Sequence, residues 1–109
     1  MYKQGDVILV PFPFSDLSGS KLRPALVISS EQVNQTRDLI CVQITSKVFN
    51  DFFFFELNDN DVIPKLPLKS GIRLHKIFTV EQNRIERKLG ELTPKTLETV
   101  LVEIQTKVL

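Results

Sequence analysis

The chain has 109 residues, a typical length for one domain, so we expect a single domain over residues 1–109. Hydrophobic residues make up 42% of it and charged residues 25%, values that exclude a disordered tail and a collagen repeat. The formal net charge of +1 excludes a molecule whose whole surface attracts phosphate. Residues 38–61 are acidic and residues 62–90 basic, which indicates either a dipolar surface that gathers an anionic ligand or two ordinary solvated faces.

Four apolar runs predict β-strands, because each is short, rich in β-branched or aromatic residues, and bounded by prolines or turn formers. They are Val7–Val10, Ala25–Ser29, Leu39–Thr45 and Phe52–Leu57. Residues 15–20 are turn formers and predict a mobile loop, and residues 31–38 predict a polar connection.

A fifth strand is predicted at Gly71–Phe78, where apolar and polar residues alternate. Because side chains of a strand point to opposite faces in turn, the two sets lie on different sides of the sheet. We expect Ile72, Leu74 and, after a slip in register, Ile77 to face the core. We expect Arg73, His75 and Lys76 to share the other face.

Two helices are predicted in the last third of the chain. The first is short and covers Val80–Arg87. The second begins after Thr93, which suits the N-cap position, and has Pro94 in its first turn. Apolar residues then recur at spacings of three and four as far as Val108. About five strands and a terminal helix predict a mainly β protein of the α+β class, with a small, strongly bent, barrel-like sheet.

The sequence has no apolar run long enough to span a bilayer, and prolines break the first apolar stretch, so it does not resemble a signal peptide. We therefore expect a cytoplasmic protein. Cys41 is the only cysteine and His75 the only histidine, which excludes an internal disulfide and a Cys/His zinc site. We expect no cofactor, although a carboxylate metal site is left open.

Cationic and hydroxyl side chains at the ends of the predicted strands are the remaining candidates for chemistry, since no phosphate loop or nucleophile motif occurs. They are Lys21, Arg23, Thr45, Ser46, Lys47, Arg73, His75 and Lys76. Such donors hold a phosphodiester and stabilise charge that develops on it, which suits RNA, whose 2′-hydroxyl attacks the adjacent phosphorus. The same residues also fit a structural role, in which Arg23 pairs with Asp16 or Asp38.

Four segments of the chain together resemble the MazF/PemK toxin family of mRNA interferases. They are Gly5–Val10, Lys21–Ser29, Ile44–Ser46 and Ser70–Leu92. The resemblance implies a twisted, SH3-like and CcdB-like barrel with a C-terminal helix that works as a homodimer. It also implies sequence-selective, metal-independent cleavage of single-stranded RNA, with 2′,3′-cyclic phosphate and 5′-hydroxyl products.

The family's site residues fall on particular positions of this chain. The resemblance implies that Arg23 and Thr45 are a catalytic pair. Arg23 would contact the scissile phosphate and either stabilise or protonate it, and Thr45 would form a hydrogen bond with a phosphate oxygen. Arg73 matches an arginine of the family, but His75 stands where some members have an acid, so we predict His75 as a catalytic acid or base. Phe78 stands where relatives often have an arginine that binds RNA. The predicted RNA-binding residues are Lys21, Ser46, Lys47, Arg73, Lys76 and Phe14.

Aromatic residues near the predicted loop have two interpretations. Phe12 and Phe14 either stack on splayed bases or pack in a core or interface. The run Phe52–Phe55 predicts packing on both faces of the sheet or at a dimer interface, because four consecutive rings cannot all enter one small core.

Two other functions fit the same fold. One is an RNA-binding module that does not cleave, because His75 and Phe78 have altered the site. The other is an inhibitor of a DNA topoisomerase, the role of the related CcdB toxins. If the chain is a toxin, its antitoxin is expected to place an acidic, disordered segment over Lys21, Arg23 and Arg73.

Overall fold

The computed structural model describes residues 1–12 and 21–109, which form an antiparallel sheet and a long C-terminal helix. The strands of this part of the chain are β1 Asp6–Pro11, β2 Leu22–Val27, β3 Asp38–Thr45, β4 Phe54–Glu56, β5 Val62–Ile63, β6 Gly71–Glu81 and β7 Arg87–Leu92. The helices are α1 Glu31–Asn34 and α2 Pro94–Lys107, and a 3₁₀ turn covers Gln82–Arg84. The predicted loop at residues 15–20 lies outside the described residues.

The strands belong to one sheet with the order β4-β6-β3-β2-β1-β7-β5, and every recorded pair is antiparallel. The register shifts between Val7 and Ile8 in β1 and between Val42 and Gln43 in β3. Such irregularities bend a strand and increase its twist, which favours a curled sheet. The predicted mainly β architecture with a C-terminal helix is confirmed.

Two apolar cores lie on the two faces of the sheet, because alternate residues of each strand point to opposite sides. The helix-side core joins strand residues to Val100 and Ile104 of α2. Its members from the central strands are Val7, Leu26, Val42, Ile44, Ile72 and Leu74. The second core holds Ile8, Val10, Phe12, Ala25, Val27, Leu39, Cys41, Phe78 and Val80. The central strands are thus buried on both faces, which explains their nearly continuous apolar sequences.

The C-terminal helix begins as predicted. Thr93 is its N-cap, with Oγ1 accepting a hydrogen bond from the Thr96 backbone N–H at 3.4 Å, and Pro94 follows in the first turn. Thr96 also contacts the residue before β5, because its hydroxyl donates a hydrogen bond to the Asp61 carboxylate at 2.7 Å. These contacts satisfy groups that a helix terminus would otherwise leave unpaired.

The predicted slip in β6 is confirmed. Val42 pairs with Ile77, but the next residue of β3, Gln43, pairs with Arg73, so residues 74–76 form a bulge in β6. On its other edge β6 is regular at this point, because the Leu74 N–H donates to the Phe53 carbonyl at 2.9 Å, in continuation of the ladder with β4. Leu74 is fully buried in the helix-side core and Ile77 packs against it, as expected.

The predicted helix at Val80–Arg87 is wrong. β6 continues to Glu81, only Gln82–Arg84 turns, and Arg87 begins β7. Val80 pairs with Leu39 and packs in the second core, so a long-range strand pairing overrides the local helix propensity.

The bounds of other predicted elements also differ from the structure, because pairing between strands extends or shortens them. The second strand begins at Leu22 instead of Ala25, because its ladder with β1 runs through Pro24. The fourth strand is shorter than predicted, and the polar connection contains the short helix α1. β5 and β7 were not predicted, since their pairing partners lie far away in sequence.

Candidate functional site

The pairing of β2 with β3 stops before either strand ends. Their last recorded pair is Ala25 with Gln43. Beyond it, β2 stays paired to β1 as far as Leu22, and β3 stays paired to β6 as far as Thr45. No pair of β2 with β3 follows Ala25 and Gln43, and we call the region of residues 22–24 and 44–46 the β2–β3 fork.

A cavity of about 320 Å³ lies at the β2–β3 fork. Residues on both sides of the fork line it: Leu22, Arg23 and Pro24 on one side, and Ile44, Thr45 and Ser46 on the other. Its lining includes residues of both sheet faces, because Ile44 belongs to the helix-side core whereas Thr45 alternates with it. Leu9, Arg87, Leu89 and residues 66–68 and 70 complete the lining.

Two arginines line the cavity without a carboxylate partner in the part of the chain that the structure covers. Arg23 is half-buried on β2, and Arg87 is exposed on β7. Neither guanidinium makes an ion pair or a hydrogen bond to residues 1–12 or 21–109. A cavity lined by two arginines without carboxylate partners favours an anion, and arginine binds phosphate in a bidentate way.

Arg87 is the site residue that sequence reasoning missed. It fell in the predicted helix, whereas the structure pairs it with Leu9, which in turn pairs with Pro24 on β2. Only this register brings Arg87 to the cavity. The segment Arg87–Leu92 has no clear strand signal, because its two leucines, Leu89 and Leu92, are three positions apart instead of two.

Thr45 stands at the end of β3 with its side chain largely enclosed. It is 6% exposed, and its Oγ1 accepts a hydrogen bond from the Lys47 backbone N–H at 3.1 Å. A threonine hydroxyl also has a donor hydrogen, so this bond orients Oγ1 without using that hydrogen. Ser46, the next residue, is exposed and lines the same cavity.

Arg73 and His75 do not line this cavity. The Arg73 Cζ lies 3.6 Å from the centroid of the Phe49 ring, and Nη2 lies 3.6 Å from the Asp51 carboxylate. Nη2 is also 3.5 Å from Nε2 of His75, whose ring lies against Phe53 at 4.4 Å. We call Phe49, Asp51, Phe53, Arg73 and His75 the Arg73 cluster. It is adjacent to the fork, because Thr45 pairs with Gly71, two residues before Arg73.

The environment of the Arg73 cluster keeps the imidazole neutral. Burial lowers the pKa of His75 below its ordinary value, and the positive charges of Arg73 and Lys76 lower it further. Nδ1 of His75 and Nε of Arg73 are buried and have no hydrogen-bond partner among the described residues. A neutral imidazole accepts a proton at the nitrogen that bears no hydrogen, and the tautomer decides which nitrogen that is.

The other predicted binding residues are scattered around these two groups. Lys21 is exposed at the start of β2, and its carbonyl accepts a hydrogen bond from Phe12 N–H at 3.1 Å. Lys47 is exposed, with Nζ 5.3 Å from the Phe49 ring, and Lys76 is half-buried in the bulge of β6. Phe14 lies outside the described residues.

Phe78 and Phe12 belong to the interior. Their rings meet edge to face with centroids 5.2 Å apart, and both are buried in the second core. The suggestion that Phe12 stacks on bases is therefore wrong. The ring at position 78 fills the core, where an arginine would have to leave its charge unsolvated.

A second hollow of about 270 Å³ adjoins the cavity and shares Ser46 and Ser70 with it. Its other walls include Val48 and Phe54. No group of three or more His, Cys, Asp or Glu side chains converges as metal ligands would within residues 1–12 and 21–109. Nor does that part of the chain contain a helix with the length and apolar character needed to cross a membrane.

The model of a family described as PemK-like, MazF-like toxin of type II toxin–antitoxin system matches residues 3–108. No curated protein sequence matches the chain.

Solved structures resemble the chain over nearly its whole length. An endoribonuclease in complex with its cognate antitoxin, from a mycobacterial species, has a TM-score of 0.78 at 20% identity, covering 97% of this chain and 93% of that one. A MazE–MazF structure from Deinococcus radiodurans has a TM-score of 0.75 at 19% identity, with coverages of 96% and 94%. The Mycobacterium tuberculosis toxin MazF-mt6 has a TM-score of 0.71 at 18% identity, with coverages of 91% and 90%.

Proposed function

Because this chain belongs to the family of PemK-like, MazF-like toxins of type II toxin–antitoxin systems, we propose that it is an endoribonuclease that cleaves single-stranded mRNA at selected sequences. The observation that carries the proposal is the cavity at the β2–β3 fork, which Arg23 and Thr45 line from opposite sides. The fold is shared with an endoribonuclease and with MazF structures. A polyanion is a suitable ligand for this cavity, because Arg23 and Arg87 line it without a carboxylate partner among the described residues.

The proposed reaction is an internal transesterification. The 2′-hydroxyl oxygen attacks the adjacent phosphorus, the bond to the 5′-oxygen breaks, and the 2′-hydroxyl proton is transferred away while the leaving oxygen gains one. The products are a 2′,3′-cyclic phosphate and a 5′-hydroxyl, and no metal ion is needed. Arg23 stabilises the negative charge on the phosphorane, and the Thr45 hydroxyl donates a hydrogen bond to a phosphate oxygen.

His75 is proposed as the group that exchanges a proton with the ribose or the leaving oxygen. Arg73 is a diagonal neighbour of Thr45 across β3 and β6, so their Cα atoms are separated by about 7–8 Å. A nucleotide bound at the cavity reaches across that separation to the Arg73 cluster. The lowered pKa of His75 supports this role, because the ring is then neutral at pH 7 and able to accept a proton.

RNA beyond the scissile phosphate is proposed to follow the basic and hydroxyl side chains near the fork. Ser46 lines the cavity, and Lys47 lies on the same turn above Phe49. Lys21, Arg73, Lys76 and Phe14 complete the proposed RNA-binding set. Lys69 and Glu56 form an ion pair at 2.9 Å in the wall of the second hollow. The charge of Lys69 is thus partly neutralised, so the second hollow is less positively charged than the cavity at the β2–β3 fork.

The proposed partners are a second copy of the chain and a cognate antitoxin. Two of the similar structures contain an antitoxin or MazE together with the toxin. We propose that the antitoxin of this chain places an acidic, disordered segment over Lys21, Arg23 and Arg73. Such a segment would occupy the cavity and prevent RNA from reaching Arg23.

The experiment is cleavage of end-labelled, single-stranded RNA by the purified chain in excess EDTA. We expect cuts at a few sequences, with cyclic phosphate ends, and no cutting of the 2′-deoxy analogue. Arg23→Ala should abolish cleavage while the circular dichroism spectrum is retained. Arg84→Ala, which removes an exposed arginine of the 3₁₀ turn, is the matched control and should cleave normally. Strict dependence on a metal ion, or no cleavage of any RNA, would contradict the proposal.

One observation favours a second candidate, an RNA-binding module that does not cleave. The guanidinium of Arg73 already stacks on Phe49 and pairs with Asp51, so it is less available to a phosphate. Equal binding of RNA and of its 2′-deoxy analogue, without cleavage of either, would support this candidate.

A further inference from the structure

We infer that Asp6 is a positioning residue, whose buried carboxylate holds Lys88 on one face of the sheet and thereby turns Arg87 toward the cavity on the other face. The inference rests on the proposed function for its effect on RNA binding. Its structural part depends only on the register of β1 and β7 and on the contacts of Asp6.

A β-bulge in β7 decides which of its side chains face the cavity. Four pairs join β1 to β7: Asp6 with Glu91, Val7 with Gly90, Ile8 with Lys88, and Leu9 with Arg87. One step along β1, from Val7 to Ile8, corresponds to two steps along β7, so Leu89 is the extra residue. Directly opposed residues of an antiparallel pair carry their side chains on the same face. Arg87 therefore shares the face of Leu9, which lines the cavity, and Lys88 shares the face of Ile8 in the second core.

Without the bulge, the two cations would exchange faces. Residues 91 and 92 are held in place by their pairing with β5. A regular ladder before them would oppose Leu9 to Lys88 and Val10 to Arg87. Lys88 would then point toward the cavity and Arg87 toward the second core. The bulge thus gives the cavity a guanidinium, which binds phosphate through two parallel hydrogen bonds, instead of an ammonium.

The contacts of Asp6 favour the bulged register. Asp6 is 1% exposed, and its carboxylate accepts hydrogen bonds from the Lys3 backbone N–H at 3.0 Å and from Lys3 Nζ at 2.9 Å. Lys88 Nζ lies 3.2 Å from the same carboxylate and donates to Glu91 at 3.0 Å. A regular register would carry Lys88 to the other face and break both of its contacts. The Asp6 carboxylate would keep only Lys3, and a buried charge that loses a partner is destabilising.

The spacing of Lys88 and Glu91 shows the same dependence on the bulge. Residues three apart in a regular strand point to opposite faces, yet these two form an ion pair because the extra residue lies between them. Leu89 packs against the helix-side core in the observed register and would be opposed to Ile8 of the second core in the regular one. Leu89 has an apolar neighbour in both cases, so the ionic contacts discriminate between the registers more strongly.

Asp6 does not line the cavity, so its effect on a ligand there passes through β7. Lys88 is already paired with two carboxylates, whereas Arg87 has no carboxylate partner among residues 1–12 and 21–109. The bulged register therefore presents to the cavity the cation that is available to a phosphate, and keeps the paired cation away from it.

The experiment is a double-mutant cycle that couples position 6 or 88 to position 87. Asp6→Asn removes the charge that holds Lys88. Lys88→Met removes the cation but leaves Asp6 paired with Lys3, so it keeps the test open if the Asp6→Asn chain does not fold. Each change is combined with Arg87→Gln, and binding of the 2′-deoxy analogue of the RNA is measured by fluorescence anisotropy. Lys88→Arg, which keeps the cation, is the matched control.

We expect Arg87→Gln to weaken binding by about tenfold in the unmodified chain and in the Lys88→Arg chain. In the Asp6→Asn and Lys88→Met chains, the same change should weaken binding by less than about twofold, because Arg87 no longer faces the cavity. A purely structural role for Asp6 would leave the two effects additive. A tenfold effect of Arg87→Gln in the Lys88→Met chain would therefore overturn the inference.

Nuclear Overhauser contacts to Leu9 separate this inference from the proposed function. Residue 87 should show them in the unmodified chain, and residue 88 should show them instead in the Lys88→Met chain. If the unmodified chain binds no RNA analogue, the RNA proposal fails, while these contacts still decide whether Lys88 sets the register of β7. Contacts of residue 87 with Leu9 that persist in the Lys88→Met chain would contradict the inference.

Discussion

Arg23 and Thr45 would be a cross-strand pair if the register of β2 and β3 continued for two residues beyond Ala25 and Gln43. No pair follows Ala25 and Gln43, and both residues line one cavity instead. An interrupted pair of this kind places a guanidinium-bearing and a hydroxyl-bearing residue on opposite walls of one cavity. A phosphate held between them would be contacted from two directions, which is the arrangement that stabilises developing charge on a phosphorane.

Thr45 is expected to act through its hydroxyl. Thr45→Val keeps the shape of the side chain but removes both the bond to Lys47 N–H and the donor hydrogen. We predict a fall in kcat/KM of about 10- to 100-fold, the effect of losing a hydrogen bond to a charged group. Thr45→Ser keeps the hydroxyl and should retain most of the activity. Equal rates for the valine and serine variants, measured on one RNA, would show that the hydroxyl has no part in the reaction.

Arg87 is expected to bind phosphate from the far wall of the cavity. We predict that Arg87→Ala weakens RNA binding and lowers the slope of log K against log salt by about 0.7, the value for one released counterion on a single strand. Fluorescence anisotropy over a series of salt concentrations measures both quantities. Arg84→Ala, on the 3₁₀ turn, should leave the slope unchanged. An unchanged slope in the Arg87→Ala chain would exclude a phosphate contact.

The titration of His75 can be followed directly, because the chain has no other histidine. Burial, Arg73 and Lys76 lower its pKa, so we predict that its NMR signals titrate below the pH expected for an unfolded chain, near 6.5. Arg73→Gln removes one positive charge and should raise the pKa. A titration above 6.5, or no response to Arg73→Gln, would contradict the description of the Arg73 cluster.

The lowered pKa of His75 also makes the stability of the chain depend on pH. A histidine with a lowered pKa binds fewer protons in the folded chain than in the unfolded chain. The free energy of unfolding should therefore fall as the pH decreases from 6.5 through the folded pKa, and stay level above 6.5. His75→Asn should reduce this dependence, which urea denaturation at several pH values would measure.

Glu91 is predicted to contribute stability that acid removes. Hydrogen bonds from Lys3 at 2.6 Å and Lys88 at 3.0 Å lower the pKa of Glu91 to about 2. Because the folded value lies below the unfolded one, near 4.3, the contribution is present above the unfolded pKa and is lost as the pH falls toward 2. Glu91→Gln should flatten this part of the pH–stability curve. Glu98→Gln, at an exposed position of α2, is the control and should leave the curve unchanged.

Several parts of the fold could be predicted because their signals are local. The N-cap at Thr93, the proline after it and the spacing of apolar residues predict α2 without any knowledge of its partners. The slip in β6 is visible in the sequence. Ile72 and Leu74 are two positions apart, but the next apolar residue, Ile77, follows three positions later. Their positions near strand ends and the family resemblance indicate Arg23 and Thr45 as site residues, and both line the cavity.

The amino-acid order alone predicts the apolar runs, the C-terminal helix and the cationic and hydroxyl groups near strand ends. The folded chain is needed to see that Arg87 reaches the cavity and that Arg73 lies on Phe49 beside Asp51. The physical reason is that a helix cap or a period-two run depends on residues a few positions apart. Cross-strand register, in contrast, joins residues such as Leu9 and Arg87 that are distant in sequence, and is set by the packing of the whole sheet.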